Sequence, residues 1–363
     1  MLNTFKVQSS LAEYTVNIND VEDSVTPFIN DRDDSIILID SNVLDLYAFR
    51  PKSRYISIDA IEENKTLDQV QKTILDLKMM GCTRDTSIVA VGGGIIQDVS
   101  TFIASIYMRG LTWEYHPTTL LSMVDSAIGG KSSLNIGSTK NLVGNYYPPQ
   151  VIKINANYCK TLAKNEMISG IFEAIKITYI SGDNAFNEFL QTYRSMMIGS
   201  TYNIQAINQI ITLSLLSKKK IIEKDEFDQK ERKLLNFGHT FGHAIESATS
   251  YKINHGISVG LGILVSGHLY REYYNQEPLE SYCLLEKCIR SLMADINSEF
   301  PHFDINTATK SFASDKKHSE SYFRIITACP SERIQILALP KTDKVHRMIN
   351  FLFERLKEKQ YEI

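Results

Sequence analysis

Three histidines in one stretch of the chain have the residue type and spacing of a metal site. His239 and His243 lie four residues apart in NFGHTFGHAIE, and His255 follows twelve residues later in NHGISVG. A spacing of four places the first two on one face of a helix, and Glu173 in GIFEAIK adds a candidate carboxylate. Catalytic zinc commonly takes three such ligands and leaves one position open. The competing interpretation is ordinary packed or surface histidines, and the spacing does not select which histidine is left out.

A glycine-rich turn has the composition of a nucleotide site. The segment VAVGGGIIQDVSTFIA places three glycines between a strand-like run and a helix-like run. Backbone without Cβ can approach a pyrophosphate closely, and a helix N-terminus adds amide donors. Asp40, which closes an earlier strand-like run, could accept bonds from ribose hydroxyls. The alternative is a tight turn with no ligand, because the segment is not the G-x-G-x-x-G pattern.

Polar residues are dense in two further segments, VDSAIGGKSSLNIGSTKNLVG and SKKKIIEKDEFDQKERKLLN. A charge run such as SKKK is usually a solvated face, but glycine-flanked lysines within apolar segments are less easily explained that way. Several cations beside a metal suit an acidic, phosphorylated substrate. The candidates are Asp125, Lys131, Lys140, Asn141, Lys218, Arg232 and Asn236.

The elements that must position these residues can be read from hydrophobic patterns. DDSIILIDSNVLDLY and TSIVAVGGG are buried parallel strands by pattern. Between them, Leu67, Val70, Ile74 and Leu77 recur at helical intervals, with Gly81 as the stop. Beyond the Pro148-Pro149 pair, helical patterns take over. We therefore predict an α/β domain over residues 1–150 and a helical domain over residues 151–363.

Composition narrows the class of protein. The chain has 363 residues, of which 43% are hydrophobic and 22% charged, and a net charge of −3. These values predict a globular protein without a global attraction for nucleic acid or membranes. Five cysteines without a C-x-x-C pair fit a reducing compartment. Since neither a signal-like start nor an apolar run of eighteen residues is found, we expect a cytoplasmic address.

Several segments together resemble the 3-dehydroquinate synthases, within the sugar phosphate cyclases. In order they are GGGIIQD, YMRG, PTTLLSMVDSAIGGKSSLN, TKNLVG, GIFEAIK, R-x-x-x-N-x-x-H-x-x-x-H, HG and DKK, from about residue 36 to residue 317. The resemblance implies an N-terminal nucleotide-binding α/β domain, an all-α C-terminal domain and an active site between them. It also implies bound NAD, a divalent metal (usually zinc, with cobalt as the alternative) and a homodimer.

The resemblance assigns roles position by position. Glu173, His239 and His255 match the metal ligands, so that His243 faces the substrate. Substrate-binding and catalytic positions match Asp125, Lys131, Asn141, Lys176, Lys218, Arg232, Asn236, His243 and either Lys316 or Lys317, while Arg109 matches an arginine that reaches the neighbouring subunit's site. NAD-binding positions match Asp40, Glu62, Lys65, Gly93, Gly94, Asp98, Thr118, Thr119, Lys140 and Thr161.

The implied reaction converts 3-deoxy-D-arabino-heptulosonate 7-phosphate to 3-dehydroquinate and phosphate, a step of the shikimate pathway. NAD oxidises the substrate transiently, phosphate is eliminated, hydride returns, and an intramolecular aldol addition closes the ring. The alternatives are a cyclase acting on an amino analogue or on sedoheptulose 7-phosphate, a metal-dependent polyol dehydrogenase, and a cofactor-binding protein that has lost catalysis.

The chain departs from the family pattern at a few positions. Gln97 and Ile61 stand where glycine is usual, and Ser132-Ser133 replaces Thr-Gly. Ile257 stands where the family has a glutamate after HG, and such a loss could alter the shell around the metal ligands. Arg232 and Asn236 argue against a changed substrate. A buried arginine is costly unless it pairs with a carboxylate, here that of an acidic substrate.

Overall fold

The protein divides into two compact units of chain. The computed structural model describes residues 4–19, 34–49, 51, 53–137, 139–198, 201–296 and 299–362. Unit 1 comprises Met1–Leu162 with Phe189–Asp228, and unit 2 comprises Ala163–Glu188 with Gln229–Ile363. This division assigns residues 189–228 to unit 1, whereas the predicted boundary at residue 150 leaves them in the helical domain.

The described elements alternate between strand and helix in the first half of the chain and are mainly helical afterwards. The strands are β1 Thr4–Val7, β2 Tyr14–Asn19, β3 Ser35–Asp40, β4 Arg54–Ile58, β5 Ser87–Gly92, β6 Trp113–Pro117, β7 Leu134–Ile136, β8 Thr139–Val143, β9 Val151–Asn155, β10 Met197–Ile198, β11 Thr201–Tyr202, β12 Tyr322–Thr327 and β13 Gln335–Pro340. The α-helices are α1 Ser41–Leu46, α2 Leu67–Met79, α3 Gly94–Ile106, α4 Lys164–Ser181, α5 Asp183–Arg194, α6 Ile204–Ile222, α7 His239–Ala248, α8 His255–Tyr274, α9 Glu280–Ala294, α10 Ile305–Ala313 and α11 Asp343–Lys359.

Unit 1 is built on a seven-stranded sheet in the order β1-β2-β9-β6-β5-β3-β4. Only β1 and β2 pair antiparallel within this sheet, and the other neighbours are parallel. Both predicted strands are present as β3 and β5, and every residue of β3 is buried. An apolar run buried on both faces is what a central parallel strand requires.

The sheet has a switch point between β3 and β5. From β3 the chain continues to β4 on one side, whereas β5 leads to β6 and β9 on the other. In open α/β sheets, ligands bind beyond the carboxyl ends of the strands at such a point. Asp40 ends β3 and Gly92 ends β5, so the predicted nucleotide residues flank the switch point.

Helix α2 follows the predicted pattern in part. Val70 and Leu77 are buried, but Leu67, the first residue of the helix, is exposed. Thr66 caps the start by accepting from the Gln69 amide. Gly81 lies just beyond the end with a φ of 74°, the left-handed stop that glycine supplies without strain.

Unit 2 is helical, as predicted, with one addition. Its long helices α4 and α8 are buried over most of their length, which fits their apolar patterns. Strands β12 and β13 pair as an antiparallel hairpin, so the expected all-α domain contains a two-stranded sheet. Among the described residues, no helix has both the length and the apolar character needed to cross a membrane.

Glycines bring the backbones of α4, α7 and α8 close together. A Cβ on Gly262 of α8 would lie 2.0 Å from the carbonyl oxygen of Gly238, immediately before α7. Likewise, a Cβ on Gly256 would lie 2.0 Å from the carbonyl oxygen of Ser169 in α4. Side chains at the starts of α7 and α8 are therefore held near the middle of α4.

Candidate active site

The three predicted metal ligands meet in unit 2. His239 is the first residue of α7, His255 is the first residue of α8, and Glu173 lies within α4. One ligand atom from each lies within 4.8 Å of those of the others. A second group, His243, Glu246 and His255, satisfies the same distance. Distance alone therefore does not choose between the two groups.

The hydrogen bonding of Glu173 distinguishes them. Its side chain is fully buried, and Oε2 accepts from the ammonium group of Lys176. Oε1 is buried without a hydrogen-bond partner and lies 3.7 Å from Nε2 of His255. Leaving a charged oxygen unpaired costs free energy, and two ligands of one tetrahedral zinc lie about 3.4 Å apart. The first group thus fits a divalent cation at Oε1.

The histidine rings are oriented to use the same nitrogen. Nδ1 of His239 lies 3.2 Å from the Phe237 carbonyl oxygen and must donate to it. Nδ1 of His255 lies 2.8 Å from Oε1 of Glu246. Both bonds leave Nε2 as the atom that can bind a metal.

Burial favours neutral imidazoles at His239 and His243. Burial, reinforced by the charge of Lys176, holds the pKa of His239 well below its usual range. Burial also lowers the pKa of His243 to about 4. Withdrawal from solvent lowers the pKa of His255 too, but the carboxylates of Glu246 and Glu173 outweigh it and raise the pKa overall.

The two lysines of DKK have different surroundings. Nζ of Lys317 donates to Oδ2 of Asp315 at 2.7 Å and to Oγ1 of Thr240 at 3.4 Å. Thr240 follows His239 in α7, and the charge of Lys317 lowers the pKa of both His239 and His243. Lys316 is exposed. The geometry therefore favours Lys317 as the lysine beside the histidines.

Two further predicted residues precede α7 in a short 3₁₀ helix, Glu231–Asn236. Arg232 is buried, with only 3% of its surface exposed. The Asn236 side-chain amide donates to the Lys233 carbonyl oxygen at 3.1 Å. The short helix packs against α4, the helix that carries Glu173 and Lys176.

In unit 1, predicted NAD-binding and substrate-binding residues form a single cluster. Nζ of Lys65 donates to Oδ2 of Asp98 at 2.9 Å and to Oδ1 of Asn141 at 2.6 Å. Ser133 donates its backbone amide to Asp98 and its hydroxyl to Oδ1 of Asn141 at 2.8 Å. Oδ1 of Asn141 therefore accepts from both Lys65 and Ser133, which leaves its NH₂ group to act as a donor.

A second set of contacts extends this cluster. Oε1 of Glu62 accepts from Asn135 at 2.8 Å and pairs with Lys140 at 3.3 Å. Oδ1 of Asn135 in turn accepts from the backbone amide of Asn141 at 3.0 Å. Asn141 has a φ of 54°, so this bond helps to hold an unusual backbone conformation.

The glycine turn has the features of an anion site. Gly93 is the N-cap of α3 and gives no side-chain capping bond, so the first amides of α3 are not capped by it. A Cβ on Gly94 would meet nothing within 4 Å, while one on Gly93 would come within 3.0 Å of Thr119. A ligand can therefore approach the backbone closely at Gly94, whereas the space beside Gly93 is already filled by Thr119.

The remaining predicted NAD-binding residues lie at the same carboxyl edge. Asp40 accepts from the Asn42 amide at 3.0 Å, and burial raises its pKa although the bonds from Asn42 oppose this. The backbone amide of Thr118 donates to the Gly92 carbonyl oxygen at 3.1 Å. Thr161 shares a hydrogen bond of 2.6 Å with the hydroxyl group of Tyr47.

Four predicted substrate residues of unit 1 lie outside this cluster. Lys218 pairs with Asp125 at 2.7 Å. Lys131, whose side chain is 44% exposed, pairs with Asp228 at 2.6 Å. Arg109 is exposed and has a φ of 71°. Its reach to a neighbouring subunit stays a prediction.

Comparison with known proteins identifies the family of the chain. Residues 55–169 match the 3-dehydroquinate synthase N-terminal family, and residues 170–318 match the 3-dehydroquinate synthase C-terminal family. The 3-dehydroquinate synthase of Dictyoglomus turgidum is 36% identical over 290 residues, which cover 79% of each chain. That of Pelagibacter ubique is 33% identical, over 88% of this chain and 90% of the relative. The chain belongs to the 3-dehydroquinate synthase family.

Solved structures share the fold at lower identity. A 2-deoxy-scyllo-inosose synthase complexed with carbaglucose-6-phosphate, NAD+ and Co2+ superposes with a TM-score of 0.79 at 22% identity, over 96% of this chain and 99% of the other. A 2-epi-5-epi-valiolone synthase from Streptomyces hygroscopicus with NAD+ and Zn2+ bound gives 0.77 at 21% identity, over 96% and 97%. These likenesses confirm the predicted fold.

The residues that depart from the 3-dehydroquinate synthase pattern differ in their burial and hydrogen bonding. Gln97 is buried and exchanges hydrogen bonds of 2.6 Å with the hydroxyl and carbonyl groups of Ser126. The hydroxyl of Ser132 donates to Oδ1 of Asn145 at 2.6 Å. Ile61 is exposed, and Ile257 is buried in α8 with 1% exposure.

Sequence reasoning missed Glu246, which contacts His255 directly. It lies seven residues after His239 and three after His243 in the same helix. A search for acidic residues on the helical face of the histidines, rather than for ligands alone, could have found it.

Proposed function

We propose that this chain catalyses the 3-dehydroquinate synthase reaction, from 3-deoxy-D-arabino-heptulosonate 7-phosphate to 3-dehydroquinate and phosphate. Family membership supports the reaction class. The observation that carries the proposal is the unpaired Oε1 of Glu173 beside His239 and His255, within the part of the chain that matches the C-terminal family.

Two cofactors belong to the proposal. Glu173, His239 and His255 would hold a divalent cation, zinc or cobalt, which polarises a substrate hydroxyl when bound. The carboxyl edge of the sheet in unit 1, with Asp40 and the turn at Gly93-Gly94, would hold NAD, which supplies a hydride acceptor. The fold neighbours complexed with NAD+ and Co2+ or Zn2+ support this choice.

The remaining residues act by binding and orienting the substrate. Lys176, Lys317 and Arg232 contribute cationic donors near the carboxylate and histidines of unit 2, and such groups bind phosphate and carboxylate oxygens by charge-assisted bonds. Asn141 presents its NH₂ group, so its partner must be an acceptor oxygen. For the other positions, the carried-over roles stand as part of the proposal: Lys131, Asp125, Lys218, Asn236 and His243 contact substrate, and Arg109 serves a neighbouring subunit of a cytoplasmic homodimer.

The test is a direct assay with product identification. Purified protein supplied with the heptulosonate phosphate, NAD and zinc is expected to release phosphate and form 3-dehydroquinate, measured by phosphate detection and mass spectrometry. Glu173→Gln should lower kcat/KM by more than about 100-fold, since losing a direct ligand costs more than the 10–100-fold typical of a ligand's partner.

A matched control is available in unit 2. Glu286 is another buried glutamate, paired with Arg271 rather than with the histidines, so Glu286→Gln should keep kcat/KM within a few-fold. Folded, zinc-loaded protein without phosphate release would reject the proposal. Net accumulation of NADH would indicate a dehydrogenase instead, and turnover of sedoheptulose 7-phosphate alone would indicate another cyclase.

A further inference from the structure

Glu246 places a buried carboxylate on the same helix as His239 and His243. Positions 239, 243 and 246 of α7 follow the spacing i, i+4, i+7 and therefore share one face of the helix. Glu246 is only 8% exposed. Burying a carboxylate is costly unless it is paired, so a partner is required.

His255 supplies such a partner. Its Nδ1 lies 2.8 Å from Oε1 of Glu246, and its Nε2 lies 3.7 Å from the unpaired Oε1 of Glu173. A carboxylate can only accept, so Nδ1 must carry a proton, and in the neutral ring Nε2 then presents its lone pair. One contact thus sets both the tautomer of the ring and the atom that faces Glu173.

The ring of His255 also contacts the rings of His239 and His243, with centroids 5.2 Å and 6.0 Å away, but these contacts do not set its tautomer. His255 is the first residue of the helix, and its N-cap Asn254 makes no side-chain capping bond. The Asn254 side chain donates instead to Oε1 of Glu166. Ile257, where the family pattern has glutamate, is an apolar residue and cannot accept a hydrogen bond.

We propose that Glu246 is a positioning residue that holds His255 in the metal-binding tautomer and orientation, and so supplies a carboxylate that Ile257 cannot. The proposal rests on the metal site of the proposed function. Direct ligation by Glu246 is disfavoured, because its Oε1 is already engaged by His255 whereas Oε1 of Glu173 has no donor.

Metal affinity and metal geometry test this without an activity assay. A chelator removes bound metal from the purified Glu246→Ala and Glu246→Gln proteins. Each protein is then titrated with zinc in competition with a chromophoric chelator. Glu246→Ala should weaken zinc binding about 10–100-fold, the usual cost of removing a ligand's partner. Glu246→Gln should lose less, because its amide oxygen can still accept from Nδ1.

Cobalt adds a geometric readout. The visible absorption of bound Co²⁺ depends on ligand identity and arrangement, so both variants should bind Co²⁺ with shifted bands. Glu286→Gln, which alters a buried carboxylate paired with Arg271, should change thermal stability but neither zinc affinity nor the Co²⁺ spectrum. Circular dichroism verifies folding, and Glu246→Gln keeps the test valid if the alanine variant does not fold.

The outcomes separate this inference from the proposed function. Wild-type affinity and spectra in both Glu246 variants would overturn the positioning role alone. Zinc binding that survives Glu173→Gln and His255→Ala unchanged would overturn the metal site itself. Complete loss of binding in Glu246→Gln, with Glu173→Gln unaffected, would make Glu246 a ligand and also contradict the inference.

Discussion

At the scale of single residues, the unpaired oxygen of Glu173 is the most informative atom in unit 2. Lys176 neutralises one side of the carboxylate, and helix packing keeps water from the other. Folded proteins rarely leave such an atom without a partner. Its position beside Nε2 of His255 indicates a cation site more strongly than histidine spacing does.

A first prediction concerns the lysines of DKK. Lys317→Met should lower kcat/KM by about 10–150-fold, because a hydrogen bond to a charged group contributes roughly 1.5–3 kcal/mol. Lys316→Met is the matched control, as Lys316 is the exposed neighbour, and it should stay within about two-fold of the wild type. Steady-state kinetics on both variants check this, and equal losses would contradict it.

The sequence predicted the residue types of this site but not their pairings. The spacing of His239 and His243 indicated one helical face, and only the resemblance selected His255 over His243 as a ligand. The bonds that the rings donate to Phe237 and Glu246 depend on how helices pack, which no local spacing encodes. Neighbouring lysines at 316 and 317 are equivalent by composition, so their different exposures come from the fold.

At the scale of elements, contact between α7 and α8 sets how close His239 and His255 lie. Gly238, Gly242 and Gly262 allow the two backbones to touch, and a Cβ on Gly242 would lie 3.1 Å from the Ser258 carbonyl oxygen. Close backbone approach of this kind excludes side chains. The distance between the histidines at the two helix starts therefore depends on these three glycines, because any side chain there would push the helices apart.

A second prediction follows for Gly262. Gly262→Ala should destabilise the protein by about 1–3 kcal/mol or more, because an overpacked methyl group forces the helices apart. Gly94→Ala is the control for stability, since a Cβ there meets nothing within 4 Å. Urea unfolding followed by circular dichroism measures both, and an unchanged midpoint for Gly262→Ala would refute the packing argument.

Prediction of elements was limited by polar residues in buried strands. β3 and β5 are continuous apolar runs and could be recognised, whereas β6 contains Glu114 and His116 and was not predicted. These two side chains are buried, and the half-buried Lys153 of β9 pairs with Glu114 at 2.6 Å. Such a strand resembles a loop in composition because it contains polar side chains. It can still be buried because a partner distant in sequence satisfies their charges.

The assignment of α6 shows the same limit. Its sequence predicts a helix, but not the sheet that it accompanies. Ser214 donates to the Val124 carbonyl oxygen at 2.8 Å and Lys218 pairs with Asp125, and such tertiary contacts place α6 in unit 1. Hydrophobic periodicity identifies the buried face of a helix but not what covers that face.

At the scale of the whole molecule, buried titratable groups make stability depend on pH. Burial lowers the pKa of His116 below its usual value, although Glu114 opposes this. Burial raises the pKa of Glu114, but the bonds from His116 and Lys153 outweigh it and lower the pKa overall. In both cases the unfolded chain binds protons more readily than the folded chain as pH falls.

A third prediction uses this sign. Below about pH 6.5, where an unfolded histidine protonates, His116 alone should remove up to about 1.4 kcal/mol of unfolding free energy per pH unit. His116→Gln cannot take up that proton, so its unfolding free energy should fall less steeply between pH 7 and pH 5. Denaturant unfolding at several pH values checks the difference, and parallel curves would rule out a neutral buried His116.

The uncompensated oxygen of Glu173 has a consequence for the life of the protein in a cell. A ligand that binds only the folded chain adds stability that grows with the logarithm of its free concentration, and proteases remove chains that open. If zinc pairs with the buried charge at Glu173, scarcity of zinc would shorten the lifetime of the enzyme as well as abolish its activity. Supply of the metal would then set how much enzyme persists.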